Sequence, residues 1–206
     1  MSDVILDGRT LSLEDVGRVA RGPETQVGLS PEATARMIES RELIERLVSS
    51  GEPVYGVTTG FGRLADVTIA PEQRTTLQHN LVRSHASGMG TPLAREAVRA
   101  LILLRANALA RGHSGCRVIL VERLLGLLNA GIHPRVPEFG SVGASGDLAP
   151  LAHVALALLG EGPAEQGGVE SSVADLLADA GIEPITLGSK EGLALINGTQ
   201  ATTGLG

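Results

Sequence analysis

The residues best suited to chemistry lie in a glycine-rich stretch, 140–147 (GSVGASGD), which runs directly into the apolar segment 148–159. Its small residues cannot fill a core, and its glycines permit sharp or left-handed backbone conformations that a residue with a Cβ resists. A tight loop that enters the N-terminus of a helix is a typical place for chemistry. We expect Asp147 to cap this helix and Pro150 to lie in its first turn, where a missing N–H costs little.

Three roles can be weighed for this loop. A flexible linker is disfavoured because an apolar helix follows at once, and a phosphate cradle is weakly supported because both the Gly-Lys-Ser/Thr ending of a P-loop and a Gly-x-Gly-x-x-Gly pattern are absent. The third role is an electrophile made from the backbone. The amide nitrogen of Gly146 attacks the carbonyl carbon of Ala144, two waters leave, and Ser145 ends with an exocyclic methylene.

Residues 140–153 (GSVGASGDLAPLAH) resemble the Ala-Ser-Gly motif of the aromatic amino acid ammonia-lyases, in the form found in histidine ammonia-lyases. The resemblance implies that Ala144, Ser145 and Gly146 form the methylidene-imidazolone (MIO) electrophile, with Gly143 and Asp147 supporting it. It further implies a mainly α-helical fold with a few short β-strands. Residues 1–206 would be the N-terminal, MIO-bearing domain of that fold, without the C-terminal helical part of the family.

The second glycine-rich region, 51–62, holds the only tyrosine, Tyr55. A tyrosine between glycines is poorly placed for core packing, although most loop tyrosines simply lie at the surface. Residues 54–62 (VYGVTTGFG) resemble the family loop Val-Tyr-Gly-Val-Asn-Thr-Gly-Phe-Gly, whose tyrosine acts as the catalytic base. Thr58 replaces the common asparagine there, which leaves the role implied for Tyr55 untouched.

Two further strings carry the resemblance. Ser84-His85 looks like the pair of histidine-specific members, whereas tyrosine- and phenylalanine-specific relatives carry His-Leu or Phe-Leu; His85 would then hydrogen-bond the substrate imidazole, which a leucine cannot do. Residues 189–200 (SKEGLALINGTQ) resemble the segment whose asparagine contacts the ring and the substrate, which implies this role for Asn197 and a supporting one for Gln200. By position alone, Asn197 would be a turn residue.

Composition narrows the classes of protein that remain. A net charge of −6 disfavours nucleic acid and anionic membranes as partners, and no apolar run is long enough for a transmembrane helix. We find no signal peptide, and the single cysteine, Cys116, excludes an internal disulfide and suits the cytoplasm. No metal-binding spacing occurs, so four histidines are interpreted as structural: His79, His113, His133 and His153.

Local patterns predict the elements that position these residues. Ser12 and Ser30 are expected to cap the first two helices, and 183–187 is expected to contain a strand, like 4–6. Thr91-Pro92 is expected to start a deeply buried helix, and Ser114 to cap the helix after it. The later helices are predicted at 71–82, 93–111, 116–128, 148–159 and 172–180, with a loop at 160–168.

The resemblance implies conversion of L-histidine to trans-urocanate and ammonia, a step of histidine catabolism, in a cytoplasmic homotetramer whose active sites each draw on more than one subunit. A tyrosine or phenylalanine ammonia-lyase, or an MIO aminomutase, is the second hypothesis, against which Ser84-His85 argues. The third is a non-catalytic fragment or interaction module. Because family members are more than twice as long, helices 93–111 and 116–128 are then expected to expose a large apolar surface.

Overall fold

A computed structural model describes residues 3–62, 67–142 and 146–206. The helices in these ranges are α1 (Leu13–Arg21), α2 (Pro31–Ser50), α3 (Pro71–His85), α4 (Arg95–Ala110), α5 (Val118–Ala130), α6 (Leu148–Leu158), α7 (Val173–Asp179), α8 (Glu191–Ile196) and α9 (Gln200–Leu205). The strands are β1 (Val4–Leu6), β2 (Val27–Leu29), β3 (Met89–Pro92), β4 (His133–Pro134), β5 (Pro137–Phe139), β6 (Pro163–Gln166) and β7 (Val169–Ser172). The prediction of a mainly α-helical fold with a few short strands is confirmed.

Helix α4 forms the centre of the core and packs against α1, α5 and α9. Its apolar residues surround the helix, as predicted, and most of them are fully buried. Helix α5 buries Leu120, Leu124 and Leu128 in the same cluster. The expectation that α4 and α5 expose a large apolar surface is wrong, because neighbouring elements of this chain cover the apolar residues of both helices.

The first two helices begin where the predicted caps place them. The Ser12 hydroxyl accepts a hydrogen bond from the Asp15 N–H at 3.1 Å, and the Asp15 carboxylate accepts one from the Ser12 N–H at 3.2 Å. The Ser30 hydroxyl accepts from the Ala33 N–H at 3.1 Å, and Pro31 follows as the first helical residue. Both helix starts therefore follow from local side-chain chemistry.

The predicted starts of the next two buried helices are wrong. Thr91 and Pro92 belong to β3, which pairs antiparallel with β5, so α4 begins only at Arg95. Helix α5 begins at Val118 without a side-chain cap, and the Ser114 carbonyl accepts a hydrogen bond from the Lys190 ammonium instead. In both places contacts with distant residues replace the local start signal.

Residues 163–168 of the loop predicted at 160–168 belong instead to a β-hairpin of β6 and β7, in which Gln166 pairs with Val169. Gly167 and Gly168 form its two-residue turn with φ of +60° and +85°, values that a two-glycine turn adopts without steric cost. The strand expected at 183–187 is absent there; the Ile185 N–H instead donates to the Leu158 carbonyl at the end of α6.

Three small sheets complete the described part of the chain: parallel β1–β2, antiparallel β3–β5, and antiparallel β4–β6–β7. β5 ends at Phe139, directly before the glycine-rich stretch 140–147, which leads into α6. None of the helices in the described ranges is both long and apolar enough to cross a membrane.

Candidate active site

One cleft of about 390 Å³ brings together three of the side chains predicted to act on a substrate, Tyr55, His85 and Asn197. Four separate parts of the chain supply its walls: the loop 51–62, the end of α3, the start of α6 and the end of α8. The other lining residues are mostly apolar: Phe61, Gly62, Leu81, Leu148, Leu193 and Ile196. An apolar cleft with a few convergent polar groups is the usual form of a small-molecule site.

Tyr55 lies in a compact turn and remains 56% exposed. Its ring meets the Phe61 ring edge to face, with centroids 6.3 Å apart, so a contact within the loop orients the phenol. Beneath it, the buried Thr58 hydroxyl donates to the Glu52 carbonyl and accepts from the Val54 N–H at 2.8 Å. Thr58 therefore braces the backbone of its own loop and does not line the cleft.

His85 is the last residue of α3 and is half-buried. Its Nδ1 lies 2.8 Å from the Leu81 carbonyl oxygen, which can only accept, so the tautomer assigned from this contact carries its proton on Nδ1. In that neutral ring Nε2 is a hydrogen-bond acceptor. The imidazole can thus present an acceptor to a ligand while its donor is held by its own helix.

Asn197 follows the last residue of α8, and its N–H donates to the Leu193 carbonyl at 3.0 Å. The start of α8 is fixed by Glu191, a fully buried carboxylate that accepts from Arg117 Nε at 2.9 Å and Nη2 at 2.6 Å. Burial alone would raise the pKa of Glu191, but the hydrogen bonds from Arg117 and from the Gly188 N–H outweigh burial and lower it. An ion pair therefore sets the position of the short helix that carries Asn197.

The glycine-rich loop is closed by a hydrogen bond of 2.7 Å from the Val142 N–H to the Gly146 carbonyl. Gly146 has a φ of +82°, a conformation that favours glycine. Three residues of the predicted electrophile and its support, Gly143, Ala144 and Ser145, lie outside the described residues. This hydrogen bond joins the two described residues that flank 143–145.

Asp147 does not cap α6, so that expectation is wrong. Its backbone (φ −103°, ψ 27°) departs from the extended conformation of an N-cap, and its fully buried carboxyl group turns elsewhere. It accepts hydrogen bonds from the Ser141 hydroxyl at 2.7 Å, the Thr202 N–H at 2.8 Å and the Thr202 hydroxyl at 2.9 Å. Asp147 thereby joins the glycine-rich loop to α9, and Pro150 lies in the first turn of α6 as predicted.

Gln200, the first residue of α9, lies outside the cleft lining. Its side-chain oxygen accepts a hydrogen bond from Arg105 Nη1 at 3.1 Å, and Arg105 Nη2 donates to the Ala194 carbonyl. Sequence reasoning missed both Arg105 and Thr202. A basic residue inside the otherwise apolar run 100–106 was an available signal for Arg105, because a charge is rarely buried there without a partner; Thr202 offered none.

The described histidines show varied environments. His133 Nε2 lies 3.2 Å from Arg99 Nη1, and burial together with the Arg99 charge lowers the pKa of His133 to about 4. His153 Nε2 accepts from the Gly88 N–H at 3.3 Å, and burial lowers its pKa. Across 3–62, 67–142 and 146–206, no three or more His, Cys, Asp or Glu side chains are grouped so as to hold a metal ion.

Known proteins with similar sequences and folds bear on this site. The aromatic amino acid lyase family model matches residues 11–206. The histidine ammonia-lyase of Halalkalibacterium halodurans is 51% identical over 202 residues, which cover 98% of this chain and 39% of that protein. The crystal structure of histidine ammonia-lyase from Trypanosoma cruzi is 41% identical with a TM-score of 0.90, over 98% of this chain and 39% of that one.

A structure with a different activity in its name is equally similar in fold. Tyrosine aminomutase from Streptomyces globisporus is 46% identical with a TM-score of 0.90, over 98% of this chain and 38% of that one. The chain spans about 40% of the length of the curated relatives it matches. With a family model that matches 11–206 and a cleft that gathers the motif residues, the chain belongs to the aromatic amino acid lyase family.

Proposed function

We propose that the full-length gene product is a histidine ammonia-lyase that converts L-histidine to trans-urocanate and ammonia. The observation that carries this proposal is the single cleft that Tyr55, His85 and Asn197 line together. Relatives about half identical in sequence and named histidine ammonia-lyase support it. Because the chain spans about 40% of their length, the proposal concerns the activity of the whole protein.

His85 is proposed to bind the substrate side chain. Its Nδ1–H is held by the Leu81 carbonyl at 2.8 Å, which leaves Nε2 to accept a hydrogen bond from the substrate imidazole N–H. A site built to hydrogen-bond a polar group discriminates strongly against a substrate that lacks it. His85 is therefore the residue that we expect to favour histidine over phenylalanine.

The proposed cofactor is the MIO ring formed from Ala144, Ser145 and Gly146. Once formed, the ring supplies an electrophile that makes the substrate amine a better leaving group. The hydrogen bond from the Val142 N–H to the Gly146 carbonyl supports this proposal, because it joins the described residues on either side of 143–145. Asp147 would support the ring by fixing the loop to α9 through Thr202, with Gly143 as its small neighbour.

The remaining steps are assigned to side chains of the cleft. The Tyr55 phenolic oxygen takes the β-proton, and the exposure of Tyr55 leaves it accessible to a substrate. The Asn197 amide donates a hydrogen bond where negative charge develops. Gln200 supports Asn197 from behind, through its contact with Arg105.

The setting of the reaction is part of the proposal. The enzyme would be a cytoplasmic homotetramer that needs no metal and binds neither nucleic acid nor membranes. The net charge of −6 supports the last point, and the buried free thiol of Cys116 suits a reducing compartment.

The decisive experiment measures ring and activity together. The intact mass of the purified gene product is measured by mass spectrometry. The protein is then incubated with L-histidine while the absorbance of urocanate is followed. We expect a mass deficit of two waters and release of urocanate, and we expect neither from Ser145→Ala. Urocanate release by Ser145→Ala at the wild-type rate would disprove the proposed electrophile.

A tyrosine-directed lyase or aminomutase is the second candidate, favoured by the 46% identity to a tyrosine aminomutase structure. Parallel incubations with histidine, tyrosine and phenylalanine, followed by analysis for unsaturated acids and β-amino acids, separate these activities. A non-catalytic fragment or interaction module is the third candidate. It predicts an unshifted mass and no turnover of any of the three amino acids.

A further inference from the structure

Arg105 lies almost completely inside the protein, 5% exposed, below the turn that carries Asn197. Nη2 donates to the Ala194 carbonyl in α8, and Nη1 donates to the Gln200 side chain at the start of α9 at 3.1 Å. The two acceptors stand on either side of the sequence Asn197-Gly198-Thr199. One planar guanidinium thus bonds to α8 ahead of this turn and to the first residue of α9 directly after it.

The turn packs directly on the guanidinium. A Cβ built on Gly198 would lie 2.6 Å from Arg105 Nη1 and would also collide with the Gln200 side chain. Gly198 is therefore needed for close approach, since its φ is not in the left-handed region. The backbone next to Asn197 has no room to shift toward Arg105.

The charge of Arg105 adds to this role. Burial lowers its pKa to about 10, so the group stays protonated at neutral pH. Among the described residues no carboxylate lies within 4 Å of its nitrogens, and its described partners are an amide and a carbonyl. A cation next to carbonyls near the end of α8 interacts favourably with them. A buried charge without a counter-ion is costly. A neutral donor could make a single hydrogen bond to a helix end without that cost.

We infer that Arg105 is a positioning residue for the proposed reaction: it holds the Asn197 turn in place, so that the Asn197 amide faces the cleft with a fixed geometry. This inference rests on the proposed function for its kinetic test. It assigns Arg105 no contact with substrate. Its effect on turnover must therefore pass through Asn197.

Arg99 provides a matched control on the same helix. It is also fully buried, and its guanidinium donates to the backbone carbonyls of Val19 at 2.7 Å and Leu128 at 3.1 Å. Those partners lie outside the cleft lining. Replacing either arginine with lysine keeps the charge but loses the planar fork that holds two acceptors at once.

The kinetic test is a double-mutant cycle in the full-length gene product with histidine as substrate. Arg105→Lys is expected to lower kcat about 10- to 100-fold and to change KM by less than about threefold, as small misplacements at active sites do. In the Asn197→Ala background the same change should lower kcat less than about twofold further. Arg99→Lys should leave kcat within about twofold of wild type. Equal losses from Arg105→Lys in both backgrounds would overturn the inference.

A second measurement does not depend on activity. Amide hydrogen exchange of the segment 194–203 should accelerate in Arg105→Lys at least about tenfold and stay unchanged in Arg99→Lys. Unchanged exchange in Arg105→Lys overturns the inference even if the protein is inactive toward histidine. If wild type releases no urocanate but exchange responds as expected, the proposed function fails and the positioning role of Arg105 stands.

Discussion

The two glycine-rich loops of this chain are built in opposite ways. The stretch 140–147 is tied to a distant element, because Asp147 accepts two hydrogen bonds from Thr202, 55 residues further along the chain. The loop 51–62 is tied to its own neighbourhood: among the described residues its hydrogen bonds reach only from 50 to 69. One loop depends on the completed fold, and the other is almost self-contained.

This difference matches the two tasks proposed for the loops. Closing a ring from backbone atoms needs them held in one geometry, which long-range hydrogen bonds provide once the core has formed. A proton acceptor that must meet an incoming substrate can be an exposed side chain, as Tyr55 is, on a loop that folds through local contacts. Changes in the first loop should therefore affect ring formation and stability, and changes in the second should affect turnover or local order.

The largest expected effect is on turnover, from Tyr55→Phe. Loss of a general base lowers kcat by about 10²- to 10⁴-fold, whereas unfolding free energy should change little because the Tyr55 side chain is 56% exposed. Kinetics with histidine, urea unfolding and intact mass measure the three quantities. Loss of the two-water deficit in this variant would contradict the proposed separation between the loops.

The next effect is on stability and ring formation, from Asp147→Asn. The amide keeps one acceptor oxygen and places donors against Ser141 or Thr202, so we expect a loss of about 1–3 kcal/mol in urea unfolding. The fraction of molecules with the mass deficit should fall as well. Asp175→Asn is the control, because its carboxylate is exposed and bonds only within its own helix cap. A mass deficit and an unfolding free energy equal to those of wild type in Asp147→Asn would refute the role given to the hydrogen bonds between Asp147 and Thr202.

A smaller, local effect is expected from Thr58→Val. The change keeps the shape but removes the hydroxyl that satisfies the Glu52 carbonyl and the Val54 N–H, at a cost of about 1–2 kcal/mol. Amide exchange should accelerate in 52–59, while the mass deficit stays intact. Thr59→Val is the matched control, since that buried hydroxyl bonds only to the adjacent Gly60 carbonyl. Acceleration that spreads to 140–147 would show that the loops are coupled.

The smallest expected effect is a pH dependence of local stability in the segment 86–90, which contacts the start of the glycine-rich stretch 140–147. His153 accepts from the Gly88 N–H, and a Cβ on Gly140 would lie 3.3 Å from the Gly88 Cα, so this histidine supports the start of the loop. Burial lowers the pKa of His153 below its usual 6.5. Its contribution to stability is thus present above pH 6.5 and is lost as pH falls through the lowered pKa.

Exchange measured from pH 7 down to pH 5 should therefore show a progressive loss of protection at 86–90 in wild type. His153→Gln keeps an acceptor that does not titrate, and it should weaken this pH dependence. An identical pH response in the variant would rule out His153 as its source. Protonation of the buried His133, whose pKa is about 4, also lowers global stability as the pH falls. This loss is common to wild type and His153→Gln, so it is the background against which the two are compared.

Local chemistry made much of the fold predictable. The caps at Ser12 and Ser30 and the apolar run of α6 act within a few residues, so their patterns are visible in the sequence. The start of α4 was not predictable, because the pairing of Thr91 and Pro92 with β5 depends on a strand about 45 residues away. The hairpin turn at Gly167-Gly168 did carry a local signal, and sequence reasoning missed it.

Motif strings named the residues of the candidate site, but they did not reveal how the site is supported. Tyr55, His85 and Asn197 stand in recognisable stretches, and the cleft brings them together. The bonds from Arg105 to Ala194 and from Thr202 to Asp147 span 89 and 55 residues. The apolar surroundings of Arg105 marked it as a buried charge, but neither its acceptors nor the link from Thr202 to Asp147 could be identified from one sequence, because these contacts form only after folding.

The link between Asp147 and Thr202 also places an order on biosynthesis. At about 5–20 residues per second, a ribosome adds Thr202 roughly 3–11 s after Asp147. During that interval the nascent chain contains residues 144–146 but lacks the helix to which Asp147 is bonded. Closure of the proposed ring would therefore follow translation of α9, and the newly made protein would pass through an immature, ring-free stage.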